Sequence, residues 1–188
     1  MKIVQDGDPV LRAKADPVAE TEFNTSEFAT LITQMANALD EQPDGVALAA
    51  PQIGVSKRLF IVRYDRMAPP LPDDAPARPV ALGVFANPEF VKAARKRSEM
   101  DEGCLSVRGT YGKTIRHEQA TVRAQDEHGK SFERGGGGIL AQAFQHEIDH
   151  LDGILFIDHA TETYAVDDAT PKKSRRTGGW VPEEEAHV

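Results

Sequence analysis

The sequence QHEIDH at residues 145–150 is the strongest chemical signal in the chain. If this segment is helical, His146 and His150 are four residues apart, so their imidazoles lie on one face and can bind the same metal ion. Glu147 is turned about 100° around the helix axis from His146, near the open side of such an ion, where a base acting on water would stand. The pattern therefore predicts a metal-dependent hydrolase, with two histidines on a structural helix as the alternative.

Two histidines leave a divalent metal ion short of protein ligands. His159 would need the chain to fold back, and Glu162 or Glu183–Glu185 could serve only by chance. Cys104 is the only cysteine and the stronger candidate, because a thiolate and two imidazoles leave one tetrahedral position open for water, as in catalytic sites. Sulfur suits Zn²⁺ or Fe²⁺. The alternative is that Cys104 is a buried apolar residue.

Two helices are predicted. Apolar residues recur at helical spacing from about Ser26 to Glu41. A second helix, from about Ile139 to Leu151, carries the histidines and stops at Gly153. The preceding glycines, Gly135–Gly138, lack the Gly-Lys-Ser/Thr ending of a phosphate-binding loop, so we interpret them as a flexible strand-to-helix hinge.

The rest of the chain is largely strand-like. Gly45–Val55 is interpreted as a loop and strand, and Leu59–Tyr64 as a buried strand. From Val80 to about Phe132, the short β-prone runs VALGVF, EFVKA, CLSV and ATVRA are separated by turn signals such as Asn87-Pro88. The pattern predicts an α+β fold, with mostly antiparallel strands around a central helix that carries the HExxH motif and an additional N-terminal helix.

The length of 188 residues suits one domain. We assign residues 1–160 to a single catalytic domain and residues 161–188 to an irregular C-terminal tail. The tail contains a basic cluster formed by Lys172, Lys173, Arg175 and Arg176. Five prolines in Ala68–Pro79 predict a solvated loop, with a rim over a binding cleft as the alternative.

Composition excludes several classes of protein. The 22 Lys and Arg against 30 Asp and Glu give a net charge of −8, which argues against a dedicated nucleic-acid binder and a DNA partner but not against a local basic patch. One cysteine cannot form an intrachain disulfide. No stretch approaches the roughly 18 apolar residues of a membrane span, and the N-terminal residues lack a signal-peptide pattern. We expect a cytoplasmic monomer that does not contact membranes.

Three motifs resemble the peptide deformylase family: GVALAAPQ at residues 45–52, EGCLS at 102–106 and QHEIDH at 145–150. The resemblance covers roughly residues 3–158. It implies a metal-dependent hydrolase that removes the N-formyl group from N-formylmethionyl nascent peptides and releases formate, with transient ribosome contact. The alternatives are a catalytically silent homologue that binds metal and formyl-peptides without turnover and, less favoured, a zinc metallopeptidase.

The resemblance also implies residue roles. The metal ligands would be Cys104, His146 and His150, holding Fe²⁺ in the cell, with Zn²⁺, Ni²⁺ or Co²⁺ in preparations. Glu147 would take a proton from water and pass it to the departing amine. The side chain of Gln52 and the backbone N–H of Leu105 would hydrogen-bond the oxygen of the tetrahedral intermediate.

The substrate side chain needs an apolar pocket beside the metal. The pocket residues that we expect are Val46, Ala47, Gly103, Ile139, Gln142 and Ala143. Three positions depart from the expected pattern: Ala47 replaces a family glycine, Arg108 follows EGCLSV where proline is common, and Gln142 is polar. We further expect Asp149 to pair with Arg116, and Glu102 to support the site.

Overall fold

A computed structural model describes residues 1–68 and 78–166. The α-helices of these residues are α1 (Ser26–Asp40) and α2 (Ile139–Leu151). Their strands are β1 (Ala47–Ala49), β2 (Leu59–Arg63), β3 (Leu82–Ala93), β4 (Arg97–Cys104), β5 (Val107–His117), β6 (Gln119–Gln125), β7 (Ser131–Gly137) and β8 (Glu162–Ala165). Both helices lie within one residue of their predicted bounds.

The strands form two antiparallel sheets. One sheet has the order β1-β2-β3-β6-β7, and the other has the order β4-β5-β8. Helix α2 packs on the larger sheet and also contacts β5 of the smaller one. The α+β fold with a central, motif-bearing helix is therefore confirmed.

An aromatic cluster fixes α2 against the larger sheet. The rings of Phe60 on β2 and Phe85 on β3 stack with centroids 4.6 Å apart. Phe144 of α2 lies 5.3 Å from Phe85. All three side chains are fully buried, so their apolar surface holds the helix in one position on the sheet.

Helix α1 covers the other face of the same sheet. Thr25 caps its first turn, because its Oγ1 accepts a hydrogen bond from the backbone N–H of Phe28 at 3.2 Å. The buried stripe of Phe28, Met35 and Leu39 packs with the strand residues Leu48 and Ile61. The sheet is therefore buried on both faces in its central strands.

The predicted turn at Asn87-Pro88 is wrong, because β3 runs through it. Asn87 has a φ of 49°, and the register between β3 and β6 shifts between Ala86 and Glu89. The Asn87 side chain donates to Val18 O and accepts from Val18 N, both at 2.9 Å. These bonds hold a β-bulge inside a long strand, where we expected two short strands.

Two other local expectations are also corrected. The run CLSV is a hairpin turn and not a strand: β4 ends at Cys104 and β5 begins at Val107. Gly135–Gly137 belong to β7, paired with β6, rather than to a flexible hinge. A Cβ on Gly136 would lie 2.5 Å from Leu140 Cδ2, so glycine permits close strand-helix packing.

The N-terminal arm, residues 1–18, forms backbone hydrogen bonds at or next to each of the three sequence motifs. The backbone bonds are Val4 N to Gln52 O at 2.9 Å, Asp6 N to Ser106 O at 2.7 Å, and Ala15 N to Leu151 O at 2.9 Å. Each partner lies in or directly after one of the three sequence motifs. The arm therefore ties the motif-bearing segments together.

Strand β8 lies within the segment that we interpreted as an irregular tail, and it pairs with β5. The regular fold thus extends to Ala165. The basic cluster at residues 172–176 and most of the proline-rich loop, residues 69–77, lie outside the described residues. No described helix is long and apolar enough to cross a membrane.

Candidate active site

Cys104, His146 and His150 come together where the end of β4 meets α2. Their ligand atoms lie within 4.8 Å of one another, and Cys104 Sγ is 3.2 Å from His150 Nε2. A tetrahedral ion with bonds of about 2.0–2.3 Å holds its ligand atoms about 3.5 Å apart. The spacing and the donor set of one sulfur and two imidazoles therefore fit one divalent ion such as Zn²⁺ or Fe²⁺.

Glu102 orients His146. His146 Nδ1 lies 2.5 Å from Glu102 Oε1, which leaves Nε2 available to an ion. Glu102 also accepts hydrogen bonds from Thr114 Oγ1 at 2.6 Å and from Arg116 Nε and Nη2 at 2.9 and 2.6 Å. Arg116 Nη1 donates to Asp149 Oδ2 at 2.7 Å, which confirms the predicted pair. We call Glu102, Thr114, Arg116, His146 and Asp149 the Arg116 cluster.

The charges of this cluster favour a cation at the site. Burial raises the pKa of Glu102, but the hydrogen bonds from His146 and Arg116 outweigh it and hold that pKa well below its usual range. Burial lowers the pKa of His146, whereas Cys104 and Glu102 raise it and prevail. Surroundings that stabilise an imidazolium would equally stabilise a metal cation in its place.

His150 has a different environment. Burial, and then the neighbouring His146, hold its pKa well below the ordinary value. Its Nδ1 is buried without a hydrogen-bond partner among the described residues. Both effects favour the neutral ring, which is the form of histidine that binds metals.

Glu147 is buried beside His146, with 3% of its surface exposed. In the described part of the chain, its Oε2 is buried with no hydrogen-bond partner. Burial, as the main cause, raises the pKa of Glu147 to about 7. A buried carboxyl oxygen without a partner is costly, and such groups occur where a ligand or a reaction uses them.

Gln52 lies in a short 3₁₀ helix after β1, and its side chain is fixed by its own loop. Its Oε1 accepts from Ala49 N at 2.8 Å, so Nε2 points at the candidate metal site. Nε2 lies 3.6 Å from Cys104 Sγ and 3.4 Å from Ser106 Oγ. Leu105, the other expected oxygen-binding residue, follows Cys104 directly in the β4–β5 turn.

Four of the six expected pocket residues share one apolar cluster. Ala47 and Ala143 are buried in it, and Val46 and Ile139 pack against it. The other two lie by β4. Gln142 Nε2 donates to Asp101 O at 3.0 Å, and Gly103 lies opposite Tyr111, whose ring a Cβ on Gly103 would meet at 2.8 Å.

Ala47 fits its position in β1. Among described residues other than glycine, only Asn24 and Asn87 have positive φ, so the methyl group of Ala47 causes no backbone strain. Arg108 forms an ion pair with Asp44, with 2.7 Å between Nη1 and Oδ2. It thereby joins the start of β5 to the loop after α1.

Three contacts of the site were not predicted from the sequence. They are the bond from Thr114 to Glu102, the contact of Ser106 with Gln52, and the position of Tyr111 opposite Gly103. Thr114 lies two residues before Arg116 on the same face of β5, and this alternation was the one available signal. Ser106 is fully buried, and nothing in its local sequence indicates that contact. Tyr111 reaches Gly103 only through the β4–β5 register.

Comparison with known proteins gives a consistent result. A family model described as polypeptide deformylase matches residues 1–165. A peptide deformylase of Halothermothrix orenii is 44% identical over 158 residues, which cover 84% of this chain and 92% of that protein.

Solved structures agree with the sequence relatives. A crystal structure of a peptide deformylase from Legionella pneumophila superposes with a TM-score of 0.72 at 40% identity, covering 85% of each chain. A Met-Ala-Ser-bound class I type b peptide deformylase from Acinetobacter baumannii has a TM-score of 0.72 at 34% identity, covering 84% of this chain and 96% of that one.

Proposed function

The chain belongs to the polypeptide deformylase family, and from this premise we propose which of its residues carry out each part of the reaction. The protein is a metal-dependent hydrolase that removes the N-formyl group from N-formylmethionyl peptides. The observation that carries the residue assignment is the convergence of Cys104, His146 and His150 beside a carboxyl oxygen of Glu147 that has no hydrogen-bond partner in residues 1–68 and 78–166.

Cys104, His146 and His150 hold the metal ion in this proposal. When bound, a divalent ion acts as a Lewis acid that polarises the formyl carbonyl and makes water acidic enough to attack at neutral pH. From the family resemblance we propose Fe²⁺ as the ion in the cell, with Zn²⁺, Ni²⁺ or Co²⁺ in preparations; one thiolate and two imidazoles can bind each of these ions. Glu102 keeps the His146 ring in its binding orientation.

Glu147 transfers the proton. It accepts a proton from water as the water oxygen bonds to the formyl carbon. As the C–N bond breaks, Glu147 gives that proton to the departing nitrogen, so that formate and a free amine leave. This role is supported by the buried position of Glu147 next to His146 and by its Oε2, for which the described part of the chain supplies no hydrogen-bond partner.

Gln52 and Leu105 stabilise the negative charge that develops on the formyl oxygen when water attacks the formyl carbon. The bond from Ala49 N to Gln52 Oε1 aims the Gln52 amide N–H groups at the site before substrate arrives. The Leu105 backbone N–H is the second donor. A donor of this kind is typically worth about 10²–10³ in rate.

The methionine side chain of the substrate occupies the pocket made by Val46, Ala47, Gly103, Ile139, Gln142 and Ala143. The shared apolar cluster of four of these residues supports this assignment. The Met-Ala-Ser tripeptide bound to the related Acinetobacter baumannii enzyme suggests a matching substrate, formyl-Met-Ala-Ser. We further propose that the protein is a cytoplasmic monomer that meets nascent chains through transient ribosome contact.

Formate release from formyl-Met-Ala-Ser tests the proposal. The protein is prepared without oxygen and loaded with Fe²⁺ or Ni²⁺, and its metal content is measured on the same sample. We expect rapid turnover with one metal per chain. Full metal occupancy without turnover would indicate the catalytically silent homologue, and Ala47→Gly would then be the next variant.

Two controls separate the ligand assignment from the activity. Cys104→Ser should bind metal more weakly and lose turnover; unchanged metal content would show that the ligand set is wrong. Casein digestion by the metal-loaded protein should be absent, because cleavage of internal peptide bonds would indicate a metallopeptidase instead.

A further inference from the structure

The turn between β3 and β4 carries a concentrated positive charge. Lys92, Arg95, Lys96 and Arg97 fall within six residues, 92–97, that contain no acidic side chain, and all four are exposed. The other 182 residues hold 18 Lys and Arg against 30 Asp and Glu, a net charge of −12. We call residues 92–97, where the chain passes from β3 of one sheet to β4 of the other, the basic hairpin, although β3 and β4 do not pair with each other. It is a local positive region on a strongly negative protein.

These cations are mostly available to a partner. Within residues 1–68 and 78–166, no carboxylate pairs with Lys92, Arg95 or Arg97. Lys96 pairs with Glu118 at 3.0 Å, but its side chain remains 78% exposed. An anionic ligand would meet the hairpin with little competition from the protein's own acidic groups.

His117 holds one of the cations in position. The His117 Nδ1 lies 2.5 Å from Ala94 O, and its Nε2 lies 3.0 Å from Arg97 Nη2. The His117 backbone is fixed in turn by Gln145 of α2, which accepts from its N–H at 2.9 Å and donates to its carbonyl at 3.1 Å. Arg97 is therefore pre-positioned, which reduces the entropy lost on binding.

A cavity of about 490 Å³ opens directly beside the basic hairpin. Phe90 and Ile115 line it with apolar surface that is 45% and 54% exposed, while Arg97 and His117 contribute polar groups. The exposed ring of Phe90, next to the cations, provides a stacking surface for a flat heterocycle whose phosphate lies on the basic hairpin.

We propose that the basic hairpin and the adjoining cavity bind single-stranded RNA, with phosphates on Lys92, Arg95 and Lys96 and a base against Phe90. A duplex could reach the cations but could not place an unstacked base in the cavity. The acidic remainder of the protein repels RNA and so orients it toward this face. The choice of RNA over DNA rests on the proposed function, because nascent formylated peptides are made beside RNA.

The RNA face does not include the metal ligands, although Arg116 and Asp149 of the Arg116 cluster line its cavity. The cavity is bounded on α2 by Gln145 and Asp149, which lie four residues apart on one face, whereas the ligands His146 and His150 lie on the next face. Bound RNA would therefore leave the deformylase cleft open to a peptide.

Fluorescence anisotropy with a labelled single-stranded RNA of about 12 nucleotides, titrated with metal-loaded protein at 50–200 mM KCl, tests the proposal. In the hairpin variant, Lys92→Gln, Arg95→Gln and Lys96→Gln are combined. The control combines Lys2→Gln, Lys14→Gln and Lys130→Gln, which remove the same charge from exposed positions elsewhere. We expect the hairpin variant to bind at least tenfold more weakly, and the control to stay within about twofold of the original chain.

Two further readouts sharpen the test. Because each phosphate contact on a single strand contributes about 0.7 to the salt dependence, the slope of log K against log[salt] should fall by about 2 in the hairpin variant. Phe90→Ala should weaken binding about tenfold without changing that slope. Formate release by the same samples should be unchanged, so failure of RNA binding and failure of the deformylase assignment are distinguishable.

Several results would overturn the proposal. These are no binding by the original chain at 50 mM KCl, equal losses in the hairpin and control variants, or binding lost only when the cations at residues 172–176 are replaced. Unlabelled competitors give a further check. If polyglutamate, duplex RNA or single-stranded DNA competes as strongly as single-stranded RNA does, the site is not specific for single-stranded RNA and the proposal is wrong.

Discussion

Arg63 and Arg116 are both buried, with 7% and 6% of their surface exposed, yet they serve different regions of the molecule. Arg63 pairs with Asp65 through Nε and Nη2 at 2.9 and 2.8 Å, and also with Asp40. Arg66 binds the same Asp40 and the carbonyls of Leu39, Gln42 and Gly45. We call Asp40, Arg63, Asp65 and Arg66 the Arg63 cluster. It joins the end of α1 to the end of β2.

The Arg116 cluster differs in what lies beside it. Its carboxylate Glu102 is hydrogen-bonded to His146. The residues that follow His146 on α2 include Glu147 and His150, whose Oε2 and Nδ1 are buried without hydrogen-bond partners among the described residues. Within the described residues, no buried side-chain nitrogen or oxygen of the Arg63 cluster lacks a hydrogen-bond partner. A buried charged residue is therefore not by itself a sign of function. Buried polar atoms that lack hydrogen bonds beside such a residue are the better indication of a functional site.

The strongest test of this difference is Glu147→Gln. The amide keeps the size of the side chain but cannot accept a proton, so kcat/KM should fall about 10²–10⁴-fold while metal content stays the same. Formate release and metal analysis on one sample measure both. A variant within tenfold of the original chain would remove Glu147 from the mechanism.

The second test is a matched pair of carboxylate-to-amide substitutions, Glu102→Gln and Asp65→Asn. Glu102→Gln weakens the charge-assisted bond to His146, and we expect metal affinity to fall about 10–100-fold. Asp65→Asn should leave metal affinity unchanged, because the Arg63 cluster does not touch a ligand. Competition with a chelator measures both affinities. Equal losses would show that the two clusters are not distinct.

The third test addresses the stability role of the Arg63 cluster. Arg63→Met removes the charged partner of Asp65 and leaves it with backbone N–H donors, those of Ala81 and of Asp65 itself. The free energy of unfolding should fall by about 2–3 kcal/mol, as measured by urea denaturation. Turnover per bound metal should not change at a temperature where the variant is folded. A large loss of turnover would place the Arg63 cluster in the catalytic machinery.

The smallest expected effect depends on pH. The hydrogen bond with Arg63 lowers the pKa of Asp65 to about 2, below the value of about 3.9 in an unfolded chain. The stabilisation is therefore complete above pH 4 to 5 and is lost as the pH falls through 2. The free energy of unfolding of the original chain should exceed that of Asp65→Asn by about 2 kcal/mol at pH 6 and by about half of that at pH 3. A difference that is constant with pH would refute the ion pair.

Much of the fold could be predicted because its signals are local. The bounds of α2 follow from glycines on either side and a periodic apolar face, and the histidine spacing predicts that His146 and His150 share that face. The continuous β3 could not be predicted, because the contact that holds Asn87 in the strand is to Val18, 69 residues away.

The candidate site shows the same division. Glu147 and the histidine pair are visible in a six-residue motif, whereas Thr114 and Arg116 reach Glu102 only through the fold of the β4–β5 hairpin. Cys104 was found because it is the only cysteine and through the family resemblance, since no local spacing relates it to α2. Tertiary register determines such contacts, and a single sequence does not display it.

The N-terminal arm has a consequence for the order of folding. Its bonds to Gln52, Ser106 and Leu151 span 48, 100 and 136 residues. Such distant pairings require large loops to close before any contact forms, which makes them slow. In hydrogen-exchange labelling during refolding, the Ala15 amide should gain protection only after α2 has formed. A segment that is synthesised before the three motifs is thus placed after them, and a growing chain has no complete candidate site until Leu151 has been made.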